Sequence, residues 1–211
     1  MVREAAACGV ELELLALRQG DTLDVPARRV VTLSERVFAS ASQTVTPQGV
    51  LAIGRRDLTT VPAAAALAAA AGWPLVVLDG VQDQGNVGAI CRTAAAAGAS
   101  ALVVVGACAD PFGAKAVRAS AGNVFRLAVA RGIWEDLAGL AGYGAAAGGM
   151  PMEEARLEQA GLLAFGSEAH GLGRADLPLV AIPMAEGVES LNVAAAAALM
   201  LYEVRRRCST S

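Results

Sequence analysis

At 211 residues the chain can hold one sizeable domain, or a small one joined to a medium one, and it can bury a core without disulfide staples. Hydrophobic residues make up 55%, but much of that is alanine, which adds little apolar area per residue, so hydropathy overstates the core. The net charge of -3 excludes a basic chain of the usual nucleic-acid-binding kind and leaves any such contact to local patches.

Residues 1–57 read as short α/β pieces: a helix at Val2–Cys8, strands at Leu12–Leu17 and Arg29–Leu33, and a helix capped by Ser34. The turn Thr46-Pro47-Gln48-Gly49 then leads into the apolar strand Val50–Ile53. The charge-free run Leu58–Leu78 is long enough to raise a membrane span, for which about 20 apolar residues suffice. Pro62, Gly72 and Pro74 divide it instead into an alanine-rich helix, Pro62–Ala71, and a β-branched strand, Leu75–Leu78. Residues 58–74 are therefore expected to be a linker helix. Glu4, Glu11 and Glu13 interrupt any secretory h-region, which makes the cytoplasm the default location.

From Leu75 strands alternate with helices: helix Gly88–Ala97, strand Ala101–Val105, helix Phe112–Ala119 and strand Val124–Ala130. Such alternation predicts a parallel sheet flanked by helices. A helix at Trp134–Leu140, a glycine-rich stretch to Gly149, strands at Leu162–Phe165 and Leu179–Ile182, and a last helix at Asn192–Arg207 complete the pattern. Cys8, Cys91, Cys108 and Cys208 form no CxxC pair, and His170 is the only histidine, so metal-ligand spacing is absent and no metal is expected.

Three blocks carry the chemistry. The first, Asp79 to Ala94, is a strand end, a glycine-bearing turn and a helix start, the place where open α/β sheets collect ligands. Its Gly85-Asn86-Val87-Gly88 is neither a dinucleotide fingerprint nor a phosphate loop, which argues against a Rossmann-type nucleotide enzyme. Arg92 lies on the apolar helix where its fork could meet a phosphate or carboxylate, although a plain surface arginine is the competing reading. The second block, Gly166 to Leu172, follows an apolar strand with glycine and Glu168; the third runs from Ile182 to Val193 and sets Ser190 and Asn192 before an almost apolar helix. Locally, Asn86, Ser190 and Asn192 also read as helix caps.

Taken together and in this order, the blocks resemble the SpoU/TrmH family of RNA ribose methyltransferases, whose motifs run D-P-x-N-x-G-x-x-x-R-T-A, G-x-E-x-x-G-L and I-P-M-x-G-x-x-x-S-L-N-V. The segment Lys115 to Gly122 is similar to the family's linking stretch, so the likeness extends over Leu75–Arg206. Gln84 replaces the motif's proline, which predicts a looser turn before Asn86.

The resemblance implies a methyltransferase domain over 75–211, with a parallel sheet and a C-terminal trefoil knot. It implies S-adenosylmethionine held at Gly166, Ile182, Met184 and Leu191, and a ribose site made by Arg92, Asn86, Glu168, Ser190 and Asn192. RNA, ribosomal or transfer, is the implied substrate, and a homodimer the implied assembly. Residues 1–57 resemble the later part of the family's small α/β substrate-binding domain, so a partial, truncated version is expected. Arg28, Arg29, Arg55, Arg56 and, in the linking segment, Arg118 are the expected RNA contacts. The rival within the same fold is an inactive RNA-binding relative; it should have lost some of the five ribose-site side chains, and all five are present.

Overall fold

The computed structural model describes residues 1–42, 46–167, 171–174 and 176–209, and its chain divides into two units, Met1–Asp57 and Leu58–Ser211. In the first, α1 (Val2–Ala7) precedes β1 (Glu11–Arg18), β2 (Val30–Leu33), α2 (Glu35–Ala41) and β3 (Val50–Arg55). The sheet order is β2-β1-β3, with β1 parallel to β2 and antiparallel to β3. Leu15 on β1 and Phe38 on α2 are fully buried and form its centre.

The second unit is built on β4 (Leu75–Asp79), β5 (Ala101–Val105), β6 (Ala128–Gly132), β7 (Gly142–Pro151), β8 (Leu162–Gly166) and β9 (Leu179–Ala181). They form one sheet in the order β6-β5-β4-β8-β7-β9, and every pairing in it is parallel. β4 and β5 are buried along their whole length, which is why they read as unbroken apolar runs rather than as alternation. Leu75 and Val77 point to one face, where α3 (Val61–Ala70) covers them with Val61, Ala64 and Ala68. Val76 and Leu78 point to the other, against α4 (Gln84–Ala97) and α6 (Val193–Cys208), through Val87, Ile90, Met200 and Leu201. α5 (Ala114–Ala119) packs on α4.

Four features depart from the sequence expectation. The linker helix, as α3, is part of the second unit, because three of its residues complete a core layer. The strand expected from Val124 begins at Ala128, after a 3-10 turn at Asn123–Arg126, and the helix expected at Trp134–Leu140 is a 3-10 turn ending at Leu137. The glycine-rich stretch is a ten-residue strand, β7. A side chain at Gly142 would lie 2.1 Å from the Leu162 carbonyl oxygen, and one at Gly149 2.3 Å from Leu179, so glycine there marks close strand approach rather than a loop.

Among the described residues no helix is long and apolar enough to cross a membrane.

Candidate functional site

The sheet reverses its direction of growth at β4, with β5 on one side and β8 on the other, and the first and second blocks follow the carboxyl ends of β4 and β8. α4 starts at Gln84 rather than Gly88, because Asp83 caps it: Asn86 N–H donates to Asp83 Oδ1 at 2.9 Å. Lys115 on α5 holds the same carboxylate at 2.8 Å and, with the cap, keeps its pKa below the usual aspartate range. The turn that lacks the motif's proline thus carries a cap and an ion pair instead. Gly88 lets α4 and α5 touch, since a methyl group there would sit 2.3 Å from the Ala116 carbonyl oxygen.

Beside β8 lies a cavity of about 250 Å³. Gly166 of the second block and Ile182, Met184 and Leu191 of the third all line it, as does Ser190. The remaining wall is mostly apolar: Phe165, Val180, Val193, Met200 and the alanines 145–147 of β7. A slot of small and apolar side chains with exposed backbone suits a flat base, and the Ser167 and Ser190 hydroxyls offer polar ends to whatever the base carries. Gly166 has to be glycine, because a Cβ would fall 2.2 Å from the Gly171 carbonyl oxygen, held close by the Gly171 N–H that donates to the Ser167 carbonyl.

Two of the expected ribose-site residues meet directly. Asn192 caps α6, its Oδ1 accepting from Ala194 and Ala195, while its Nδ2 donates to Asn86 Oδ1 at 3.1 Å. The first and third blocks, 106 residues apart, are joined by this bond. Asn192 also sits between the cavity-lining Leu191 and Val193. Arg92 is exposed on α4 and does not line the cavity; its side chain has no partner among the described residues. It stands six residues beyond Asn86, which on an ideal helix is about 9 Å along the axis and about 120° around it. Glu168 lies outside the described residues.

The expected RNA arginines differ in their freedom. Arg28 is paired with Glu11 and Glu13, Arg55 faces Glu13 at 3.9 Å, and Arg56 donates to the Cys8 carbonyl. Arg29 and Arg118 are exposed, and neither side chain has a partner among the described residues. Sequence reasoning missed the alanine wall of β7, whose signal was hidden in a stretch read as loop, and Asp79, whose carboxylate is only 9% exposed at the end of β4.

A parallel sheet covered on both faces, with an apolar cavity at the carboxyl end of β8, places the chain among the α/β folds that take ligands at their strand ends. The SpoU rRNA methylase family model matches residues 74–202. The chain is 34% identical over 185 residues to the 23S rRNA (guanosine(2553)-2'-O)-methyltransferase RlmP of Bacillus subtilis, a match covering 82% of this chain and 71% of that protein. It is 35% identical over 191 residues to an uncharacterized tRNA/rRNA methyltransferase of Synechocystis, covering 83% of this chain and 66% of the relative. Among solved structures, the AdoMet-bound rRNA methyltransferase of Sinorhizobium meliloti superposes with a TM-score of 0.82 at 30% identity, over 98% of this chain and 84% of the other. The SpoU methyltransferase AviRb of Streptomyces viridochromogenes, in complex with AdoMet, gives 0.82 at 25% identity over 100% and 88%. The chain belongs to the SpoU rRNA methylase family.

Proposed function

We propose that this protein transfers a methyl group from S-adenosylmethionine to a ribose 2'-hydroxyl of ribosomal RNA, the class of substrate named for the Bacillus relative. The observation that carries the reading is the cavity beside β8, where Gly166, Ile182, Met184 and Leu191 meet, in a fold shared with two AdoMet-bound relatives. When bound, S-adenosylmethionine supplies a methyl group made electrophilic by its sulfonium.

The chain's own residues have to set the 2'-oxygen in line with that methyl group, and positioning of this kind can supply roughly 7–11 kcal/mol of a barrier. Arg92 holds a substrate phosphate and stabilises the charge that grows on the 2'-oxygen; as a guanidinium it keeps its own protons, so phosphate or water accepts the hydroxyl proton. Asn86 and Asn192 act as a bonded pair that sets the start of α4 against the start of α6. Ser190 and Glu168 complete the ribose pocket in this reading.

Residues 1–57 serve as the RNA-binding unit. Arg29 in this unit, and separately Arg118 on α5 of the second, are the readiest phosphate contacts, because among the described residues neither is paired with a carboxylate; at Arg28 and Arg55 a phosphate would compete with Glu11 and Glu13. The chain leaves β8 mid-sheet, runs out to β9 at the edge and returns to lay α6 against α4, a path that supports a trefoil knot. Leu199 and Tyr202, 49% and 51% exposed on α6, support a homodimer, and a cytoplasmic location follows from the proposed substrate.

Arg92→Ala is expected to cut methyl transfer about 100-fold or more while leaving S-adenosylmethionine affinity unchanged. Wild-type turnover with unchanged RNA affinity would remove Arg92 from the mechanism.

A further inference from the structure

Gly166 at the end of β8, Ser167 beside it and Gly171 form one wall of the cavity. Two residues beyond Gly171 the backbone is fastened to a buried carboxylate from a distant part of the chain. Asp79 Oδ2 accepts from Gly173 N–H at 2.5 Å and from the Trp134 indole N–H at 3.0 Å. Glycine at 173 allows that approach, since even a Cβ there would be 3.2 Å from Asp79 Oδ2 and 3.5 Å from Trp134 Nε1.

The anchor is closed from above. The Arg174 guanidinium lies 5.8 Å from the centre of the Trp134 ring, donates to the Leu137 carbonyl at 3.4 Å, and forms a two-point contact with Asp176. A carboxylate that is 9% exposed and accepts two N–H donors holds them more firmly than solvent would, because hydrogen bonds to an ionised acceptor strengthen as water is excluded.

Gly171 itself lines the cavity and packs so closely on Gly166 that a Cβ at 166 would fall 2.2 Å from its carbonyl oxygen, so where the backbone sits at 171 sets the shape of that wall. We propose that Asp79 is a positioning residue for methyl-donor binding: through its bond to Gly173, braced by Trp134, it fixes the backbone at 171–173, whose Gly171 packs on Gly166 and lines the pocket. It lies seven residues before Asn86 and touches no reacting atom in this reading. The proposal rests on the donor assignment made above for this cavity.

The test combines Asp79→Asn and Trp134→Phe with S-adenosylmethionine titration, steady-state methyl transfer and hydrogen exchange of peptides spanning 162–174. Asp79→Asn is expected to weaken S-adenosylmethionine binding about tenfold, from loss of the charged acceptor. KM for the donor rises with it, while kcat at saturating donor stays within about twofold. Trp134→Phe removes one donor and keeps the Gly173 bond, so its loss is smaller, about threefold, and it decides the matter if Asp79→Asn does not fold. Exchange at 171–174 accelerates in both.

Wild-type affinity in both variants, or a fall in kcat with donor KM unchanged, overturns the proposal. If the unaltered protein itself fails to bind S-adenosylmethionine, the donor assignment falls; the exchange arm still judges the anchor, and unchanged protection at 171–174 in Asp79→Asn refutes it independently.

Discussion

Substituting Gly166 with alanine puts a close backbone contact in the cavity wall under direct strain. The new methyl carbon would lie 2.2 Å from the Gly171 carbonyl oxygen and 2.3 Å from its carbonyl carbon, both backbone atoms that cannot swing aside. To restore the 3.4 Å of ordinary contact, the loop or β8 has to retreat by about 1.2 Å. Overpacking of this kind costs about 1–3 kcal/mol. Since Gly166, Ser167 and Gly171 all line the cavity, the strain is relieved by moving its wall, and binding then carries the cost. At 1.4 kcal/mol per decade this amounts to a loss of about 5- to 140-fold in S-adenosylmethionine affinity. Calorimetric titration of the purified variant measures it. Gly148→Ala on β7 is the matched control, because a Cβ there meets nothing within 4 Å. If Gly166→Ala binds as tightly as Gly148→Ala, the cavity beside β8 is not where the donor sits.

Asn192→Ala removes the α6 cap and is expected to cost about 1 kcal/mol, or about 2–4 °C in Tm. Asn192→Asp keeps the accepting oxygen and adds a charge that suits a helix N-terminus, so Tm is retained while the bond to Asn86 is lost and methyl transfer falls. Equal losses of activity and Tm in both variants would contradict that division. Glu203 accepts from Arg206 and Arg207, and these bonds pull its pKa from 4.5 down to about 2 despite opposing burial. A depressed carboxylate stabilises the fold fully above its unfolded value and loses that effect as pH falls through its folded value. The Tm deficit of Glu203→Gln should therefore be full at neutral pH and vanish between pH 4.5 and about 2, as followed by thermal melts; a deficit independent of pH would rule out the ion pairs as its source.

The parallel sheet was legible because β4 and β5 are buried on both faces, and burial on both faces writes itself as LVVL and ALVVV. That Gly166, Ile182, Met184 and Leu191 would come together was legible only through the resemblance of the second and third motifs, since a cavity lined by glycine and apolar residues leaves no polar signature in the sequence. β7 was not, since the close approach of its neighbours selects Gly142 and Gly149, residues that propensity assigns to loops. α3 read as a linker because alanine conceals which side is buried; only the packed layer reveals Val61, Ala64 and Ala68 as the inward face. The charge pairing that occupies Arg28 with Glu11 and Glu13 joins residues on different segments, and no spacing rule predicts it. Asp79 is invisible for the same reason: its partners are Trp134 and Gly173, 55 and 94 residues away.

The atom that receives the methyl group defines the reaction. The direct measurement incubates the protein with methyl-labelled S-adenosylmethionine and ribosomal RNA from cells lacking its gene, digests the RNA to nucleosides, and locates the label on base or sugar by mass spectrometry. Label on the ribose 2'-oxygen of a single nucleotide, abolished in Arg92→Ala, is the predicted result. Label on a base, or donor binding with no transfer to any RNA, would contradict the account.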